Sequence, residues 1–518
     1  MSTYLRLMCL TMIVAMGCRR TDPYFCENAP HHNCLAIVDA SPDTPNGCSA
    51  NSDCAAPTAV CDVPTRACVQ CTASDHGGCT GNLPVCGDDH SCRGCASHAD
   101  CPASLACLPD GSCGTDDNVA YVDPTATDND VCTHSMPCTV VAKALAKNKP
   151  FIKFQGATGM TDEAVTVNGG RAVTFLADPG ARLTRTKGSG PIVTVQDDVT
   201  SLSIFDLTIS DAPNNLSSGF GCLIPTGGGM PTLALTRVTI ANCPAGGISV
   251  ASGMVTISGS TIKDNGGTGI QASGSTTISS STISGNQGVG VQTSGRATVS
   301  GSTISGNQGI GISIATSSSP VTVAQSTILG NQGIGISATN TAIAIGRSTV
   351  IGNRAGGVSV SGGTFDIANN IIADNGDATS SGSDFGGLSV SGNGGDKLEF
   401  NTIAYNHAKV GTLLSAGVAC SVTDFTAPNN IVTANNEGLG LPVQTKGVCM
   451  FGNSYTMPDT GANVLGFRSI MAPLDLHLTA ASPASVVNAA GSCTGTDIDG
   501  DVRPVGGACD LGADERTP

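Results

Sequence analysis

The stretch "STISGNQGVGVQTSGRATVSGSTISGNQGIGISI" runs from Ser281 to Ile314. It spells "STISGNQG" twice, at Ser281 and at Ser302, with Arg296 the one charge in the whole stretch. The same spacing extends outward in both directions. Units begin at Leu233, Val255, Thr276, Ala297, Val321, Ile343 and Phe365, at intervals of 22, 21, 21, 24, 22 and 22 residues. Two wider units follow from Asp396 and Phe425. Apolar residues recur at fixed offsets within each unit. The start and the residue two later form one inward pair, as in Val255/Ile257, Val321/Val323 and Ile343/Ile345. A second position holds Ile262, Ile283, Ile304, Ile328, Val350 and Ile372, and a third run opens at Ile248, Ile270, Val291, Ile312, Ile336 and Val358. Alternation by two is the period of a strand, so each unit reads as three short strands separated by turns.

Two columns of small polar residues accompany this pattern. One holds Asn265, Asn286, Asn307, Asn331, Asn353, Asn375, Asn406 and Asn435. Asn accepts the left-handed backbone that a sharp turn needs, and we expect it to adopt it here. Stacked at one corner, its amide can bond to the units above and below. The other column runs Ser260, Ser281, Ser302, Ser326, Ser348, then Asn370, Asn401 and Asn430. A period of this size signals a solenoid or a propeller, but propeller blades need about 40–50 residues. The dense Leu pattern of leucine-rich repeats is missing. What remains is an all-β fold, a parallel β-helix whose rungs stack at about 4.8 Å. The pattern V-x-I-x-x-S-x-I-x-x-N resembles the right-handed repeat of pectin-lyase-like proteins over roughly residues 120 to 490, which implies a right-handed coil. Val140 to Leu145 is a short amphipathic stretch expected to form a helix over the first rung.

The beginning of the chain reads as an export signal: Arg6, then the short apolar run Leu7–Met16. It ends in "AMGC", where Gly17 and Cys18 resemble the lipobox of bacterial lipoproteins. That resemblance implies lipidation of Cys18, and the Arg19 that follows, in place of Asp, implies outer-membrane sorting. Ala15 and Met16 depart from the usual lipobox residues. Cysteine usage points to an oxidising compartment. Beyond Cys9 in the signal and Cys18, fourteen cysteines lie between Cys26 and Cys113, and the other eight fall into the pairs Cys132/Cys138, Cys222/Cys243, Cys420/Cys449 and Cys493/Cys509. Between Cys48 and Cys113 the spacing itself repeats, as in small disulfide-rich modules of secreted proteins. The dipeptide-spaced "CVQC" (Cys68–Cys71) and "CRGC" (Cys92–Cys95) also fit a four-thiolate zinc site. The same pattern continues on both sides of them, so disulfides are expected. His31, His32, His76, His90 and His98 read as solvated loop residues.

These signals divide the chain into a signal peptide (1–17), a linker (18–47), a disulfide-rich segment (48–115), the β-helix (116–490) and a C-terminal segment (491–518). The stretch Asp475–Glu515 resembles the end of bacterial surface β-helix proteins of the choice-of-anchor type, which implies attachment and no reaction. Within it, "DIDGD" (Asp497–Asp501) alternates carboxylates like a calcium loop, but its glycine is at the fourth position, and it reads as a solvated turn.

Charge and composition narrow the function. Net charge is −16 and only 12% of residues are charged, so a phosphate backbone is not an expected partner. Pectin-lyase-like enzymes gather several carboxylates on one strand face. Between Gly246 and Gly363 the charged residues are Lys263, Asp264, Arg296, Arg347 and Arg354, with one carboxylate among them. The chain has no Trp to form a sugar platform. The wide units carry insertions with Asp374, Asp377, Asp384, Asp396, Lys397, His407 and Lys409. Extra residues in a solenoid leave as loops, often on the binding face. The expectation is an exported, lipid-anchored surface protein with a structural, adhesive or ligand-binding role, using no cofactor or metal. Its partners would be a glycan or a surface protein, and a membrane through the anchor. The alternative is a polysaccharide lyase or glycosidase acting through the 374–409 loops.

Overall fold

The computed structural model describes residues 47–517 apart from 157–159, 197–200, 213–220, 227–231, 316, 318, 380–382, 393–395, 412–413, 439, 460–462, 492 and 494. The signal, Cys18, Cys26 and Cys34 lie outside the described residues. The described residues form two compact units, 47–101 with Pro109–Cys113, and Pro102–Leu108 with 114–517.

The first unit is held by cross-links. Two short antiparallel pairs form, Val60–Asp62 with Ala67–Val69 and Val85–Cys86 with Cys92–Arg93. In each repeat the first cysteine bonds the third and the second bonds the fourth: Cys48–Cys61 and Cys54–Cys68, then Cys71–Cys86 and Cys79–Cys92. Cys101 bonds Cys113, and Cys95 is also in a disulfide. All four cysteines of CVQC and CRGC are therefore oxidised, which removes the thiolates that zinc would need. A turn recurs as well. Asp53 accepts the backbone N–H groups of Ser49 and Ala50, and Asp100 those of Ala96 and Ser97. These bonds, Ser49's first for Asp53 and Ala96's first for Asp100, hold both carboxyls below their ordinary range.

The second unit is a parallel β-helix. Its described strands make three 12-stranded sheets, paired in parallel from rung to rung, and each rung visits sheets I, II and III in turn. One rung shows the construction. Strand β1 (Ser275–Ser279) belongs to sheet I, β2 (Thr282–Ser284) to sheet II and β3 (Val291–Thr293) to sheet III. Ile278, Ile283 and Val291 are fully buried, while Thr277 points to solvent. Ile283 stands beside Ile262 of the rung before and Ile304 of the rung after. Identical side chains thus stack along one continuous core.

The left-handed residue is not the ladder Asn. It is the residue before it: Asp264, Gly285, Gly306, Gly330, Gly352, Asp374, Tyr405 and Ala434 all have φ between 52° and 67°. Likewise Ser280, Gln325, Arg347 and Asn369 precede the ladder residues of the other corner, with φ between 48° and 57°. One left-handed residue turns the chain so that the next side chain points inward. The left-handed site is one position earlier than expected, and the small amide is required for its hydrogen bonds rather than its backbone.

The first rungs are covered by α1 (Val141–Leu145), with Val141 and Ala144 in the core. Its start is capped from a distance: Glu163 accepts the N–H of Val141 at 2.5 Å and of Ala142 at 3.2 Å. Parallel pairing ends with Thr445–Gly447 and isolated bridges at Met450 and Tyr455. An antiparallel pair follows, Phe467–Ser469 with Asp475–Leu478. From Leu465 onward the chain folds back, and Phe467, Leu478, Val486 and Leu511 pack on Ile371, Phe400 and Ile431. Sheet II is therefore buried on both faces in its last rungs, Ile371–Ala373, Thr402–Ala404 and Ile431–Thr433. The boundary drawn at residue 490 falls inside this returning segment.

Candidate functional site

The ladders account for most of the buried polar groups in the coil. Asn307 Nδ2 donates to Asn331 Oδ1 at 2.9 Å and to Ile283 O at 3.2 Å. Its Oδ1 accepts from Asn286 Nδ2 and from Asn286 N. The same bonds link Asn265 through Asn435, all with no exposed surface. The series starts at Cys243, whose N–H donates to Asn265, and it ends on the amide of Gln444. The other column works through hydroxyls in its serine rungs, as in Ser281 N to Ser302 Oγ at 3.1 Å, then through the amides of Asn370, Asn401 and Asn430, and closes on Ser454. Gln444 caps its column only nine residues after Asn435, outside the rung period, so periodicity alone could not find it; Ser454 stands 24 residues after Asn430, within the range of the regular rungs.

A third column was missed in the sequence. Gly269, Gly290, Gly311, Gly335 and Gly357 each stand four residues after a ladder residue. A Cβ on Gly311 would lie 2.6 Å from Gly335 O and 2.9 Å from Asn331 Nδ2. These glycines do not have positive φ. They are small because the Asn amide and the next rung's carbonyl occupy the space. The "N-x-G-x-G" spacing carried that signal.

Disulfides join Cys132 to Cys138, Cys222 to Cys243, Cys420 to Cys449 and Cys493 to Cys509. Cys222 and Cys243 have Cα atoms 5.7 Å apart and tie one rung to the next.

The insertions leave the coil together, between sheets II and III. His407–Ala408, Asn436–Glu437 and Leu441–Pro442 form a small sheet there. Phe385 folds back over Gly356 and is buried. The charged residues singled out in the sequence are neighbours in pairs. Asp374 lies 3.9 Å from His407 Nε2, Arg354 Nε donates to Asp377 at 3.1 Å, and Lys409 pairs with Asp384. Asp377 also accepts Thr379 N–H; that bond first, then the Thr379 side chain and Arg354, holds its carboxyl low. Asp396 accepts the N–H of Phe365 at 2.8 Å, and Lys397 pairs with Glu399 at 2.8 Å, which raises the lysine. Arg354, Asp374, Asp377, Asp384, His407 and Lys409 offer polar and charged contacts at the corner between sheets II and III, whereas Asp396 and Lys397 lie at the start of the sheet I strand Lys397–Glu399. Asp377 and Asp384 are engaged with cations, while burial, the largest influence on Asp374, raises its carboxyl beside His407.

The carboxylates of the C-terminal stretch are also mostly structural. Asp497 is fully buried; one oxygen accepts the N–H groups of Asp499, Gly500 and Asp501, and the other accepts Glu515 N–H. "DIDGD" is thus a turn wound around its own first side chain. Arg503 donates to Glu515, to Asp510 O and to Gly512 O, and its guanidinium lies 4.7 Å from the Phe400 ring centre. This lock closes the end of the returning segment on itself and sets Arg503 against Phe400, in the turn between the strands Lys397–Glu399 and Thr402–Ala404. Beside it, His477 Nδ1 is 2.5 Å from Asp475 Oδ1, and His477 Nε2 is 3.2 Å from Asp499 Oδ2. Asp514 lies in the same cluster and accepts Leu478 N–H. Burial, the largest influence on Asp514, pushes its carboxyl up to about 6. An open cleft of about 460 Å³ lies between the segment and the coil, lined by Glu399, Asn429, Asn453 and Ala489–Gly491.

The family model described as right handed beta helix region matches residues 223–372 and 311–471. The coil is a right-handed parallel β-helix. The chain is similar to the mannuronan C-5 epimerase AlgE4 A-module of Azotobacter vinelandii, at 14% identity and a TM-score of 0.42, over 66% of this chain and 98% of that one. It is similar to pectate lyase Pel9A at 16% identity and a TM-score of 0.33, over 77% of this chain and 96% of that one. A third similarity is to the Dettilon tailspike protein gp208, at 13% identity and a TM-score of 0.28, over 68% of this chain and 71% of that one. No curated protein matches the chain.

Proposed function

We propose that this is an exported surface protein, lipid-anchored through Cys18 at the outer membrane, with a structural, adhesive or ligand-binding role. The observation that supports this most directly is how the carboxylates of the 374–409 corner are used. Asp377 and Asp384 pair with Arg354 and Lys409, which suits a surface that holds its shape and meets a polar ligand. The density of disulfides fits an oxidising compartment. The test is a glycan array with a reducing-sugar release assay on the same panel. Binding without release supports the proposal. Release that disappears in Asp374→Asn or His407→Ala favours the second reading, a polysaccharide-acting enzyme. That second reading draws on the convergence of Asp374 and His407 at the insertion corner. Anchoring is tested separately: a palmitate analogue should label the natural chain and not Cys18→Ala.

A further inference from the structure

Three lengths of the returning segment meet at one point. His477 comes from the strand Asp475–Leu478, Asp499 from the 497–501 turn, and Asp514 from the final stretch. One side-chain atom from each lies within 4.8 Å of the other two. His477 Nδ1 lies 2.5 Å from Asp475 Oδ1, and a neutral imidazole donating there presents Nε2 as a lone pair. That nitrogen is shielded from water and makes no hydrogen bond, with Asp499 Oδ2 3.2 Å away. Asp514 is only 6% exposed, and the one hydrogen bond it has is from Leu478 N at 2.6 Å, to Oδ2. The guanidinium of the same segment, Arg503, is spent on Glu515 and on the carbonyls of Asp510 and Gly512. Three groups able to offer a lone pair converge, and one is a carboxylate withdrawn from water. Buried charge of this kind is paired or coordinates a metal.

We propose that His477, Asp499 and Asp514 bind a divalent transition-metal ion of the zinc type, with Asp475 orienting the imidazole. One nitrogen and two carboxylate ligands suit zinc, which takes His and Asp together and leaves a further position for water. Calcium prefers six to eight oxygens and gains little from the imidazole. A carboxylate behind a ligating histidine is the usual supporting partner. Bound there, the ion joins the three lengths of chain into one body.

The experiment uses the full-length chain with its disulfides formed, stripped of metal with a chelator and titrated with zinc or with calcium. Calorimetry and thermal unfolding are read in parallel. The expected result is one zinc ion whose binding requires His477, with zinc raising the unfolding temperature. His477→Ala should abolish this uptake. Asp475→Asn should weaken it about 10–100-fold, the usual effect of losing a supporting partner. Asp499 is 57% exposed as a side chain, so Asp499→Asn should fold normally and still lose the zinc-dependent stabilisation. The proposal is overturned by equal zinc uptake in the natural chain and His477→Ala. It is overturned equally by calcium binding that ignores His477. Absence of zinc uptake, with the cluster satisfied by a second proton on His477, also overturns it.

Discussion

At the scale of single residues the coil depends on groups that have no alternative partner. In Asn307→Leu, Asn286 N–H and its amide lose their acceptor, and Ile283 O and Asn331 Oδ1 lose a donor. Each buried orphan costs about 1–3 kcal/mol, so the change should rank among the most damaging in the coil. The neighbouring Gln308 is exposed, and Gln308→Leu should cost under about 0.5 kcal/mol. Hydrogen exchange across 283–331 measures the difference, and equal protection in both variants would contradict the ladder. The two kinds of glycine should separate as well. Gly311→Ala meets backbone and the Asn331 amide and should cost about 1–3 kcal/mol. Gly306 has φ 62° and open space around it, in a position filled by Asp264 and Asp374 in other rungs. Gly306→Asp should therefore be nearly neutral by chemical denaturation. Tyr405 is different again. Its hydroxyl is buried with no partner, and burial, then the charge of Asp459, pushes it up to about 12. A raised folded value means stability that is complete below the ordinary tyrosine range and is lost as pH rises through about 12. Phenolate absorbance should show a late step near that pH, and Tyr405→Phe should remove it without loss of stability. The ladder residues could be read from the sequence because they repeat. The turn geometry could not, since the left-handed site accepts Gly, Asp, Ser, Gln or Arg, and so leaves no residue signature.

At the scale of elements, the period of two gave every strand of the regular coil, and the fixed offsets gave its register. The returning segment was harder to read because it has no period. Its signature was indirect: outward positions that are Thr and Ser in earlier rungs become Ile371, Ala373 and Ala404 where the segment covers them. The carboxylates of Asp475–Glu515 drew attention as a motif, but sequence could not say that most of them accept backbone N–H groups inside one chain. Arg503 is the residue that tests this account. Its guanidinium is buried with Glu515, both at 1% exposure or less. Arg503→Ala leaves a buried carboxylate without its cation, at a cost of about 3–5 kcal/mol. The segment should come loose while the middle of the coil stays folded. Limited proteolysis should then cut after Leu465 and spare the rungs before Gly363; uniform resistance would show that the lock is dispensable.

At the scale of the whole chain, each rung of the second unit pairs only with its neighbours, so folding stability is a sum over local interfaces. The insertion corner and the returning segment both belong to the last rungs, which concentrates irregular chemistry at one end of an otherwise uniform stack. Consider now what tension would do to such a stack. Hydrogen-bonded rungs peel one after another, each paying out its full length of chain. Cys222–Cys243 and Cys420–Cys449 close loops of 21 and 29 residues, and those loops cannot be paid out. Stretched in a force experiment, the natural chain should stop roughly 170 Å short of a variant with Ser at those four positions. Equal contour lengths would show the bonds are not formed. With them in place, an anchored molecule dragged at its far end would have two stops built into its travel.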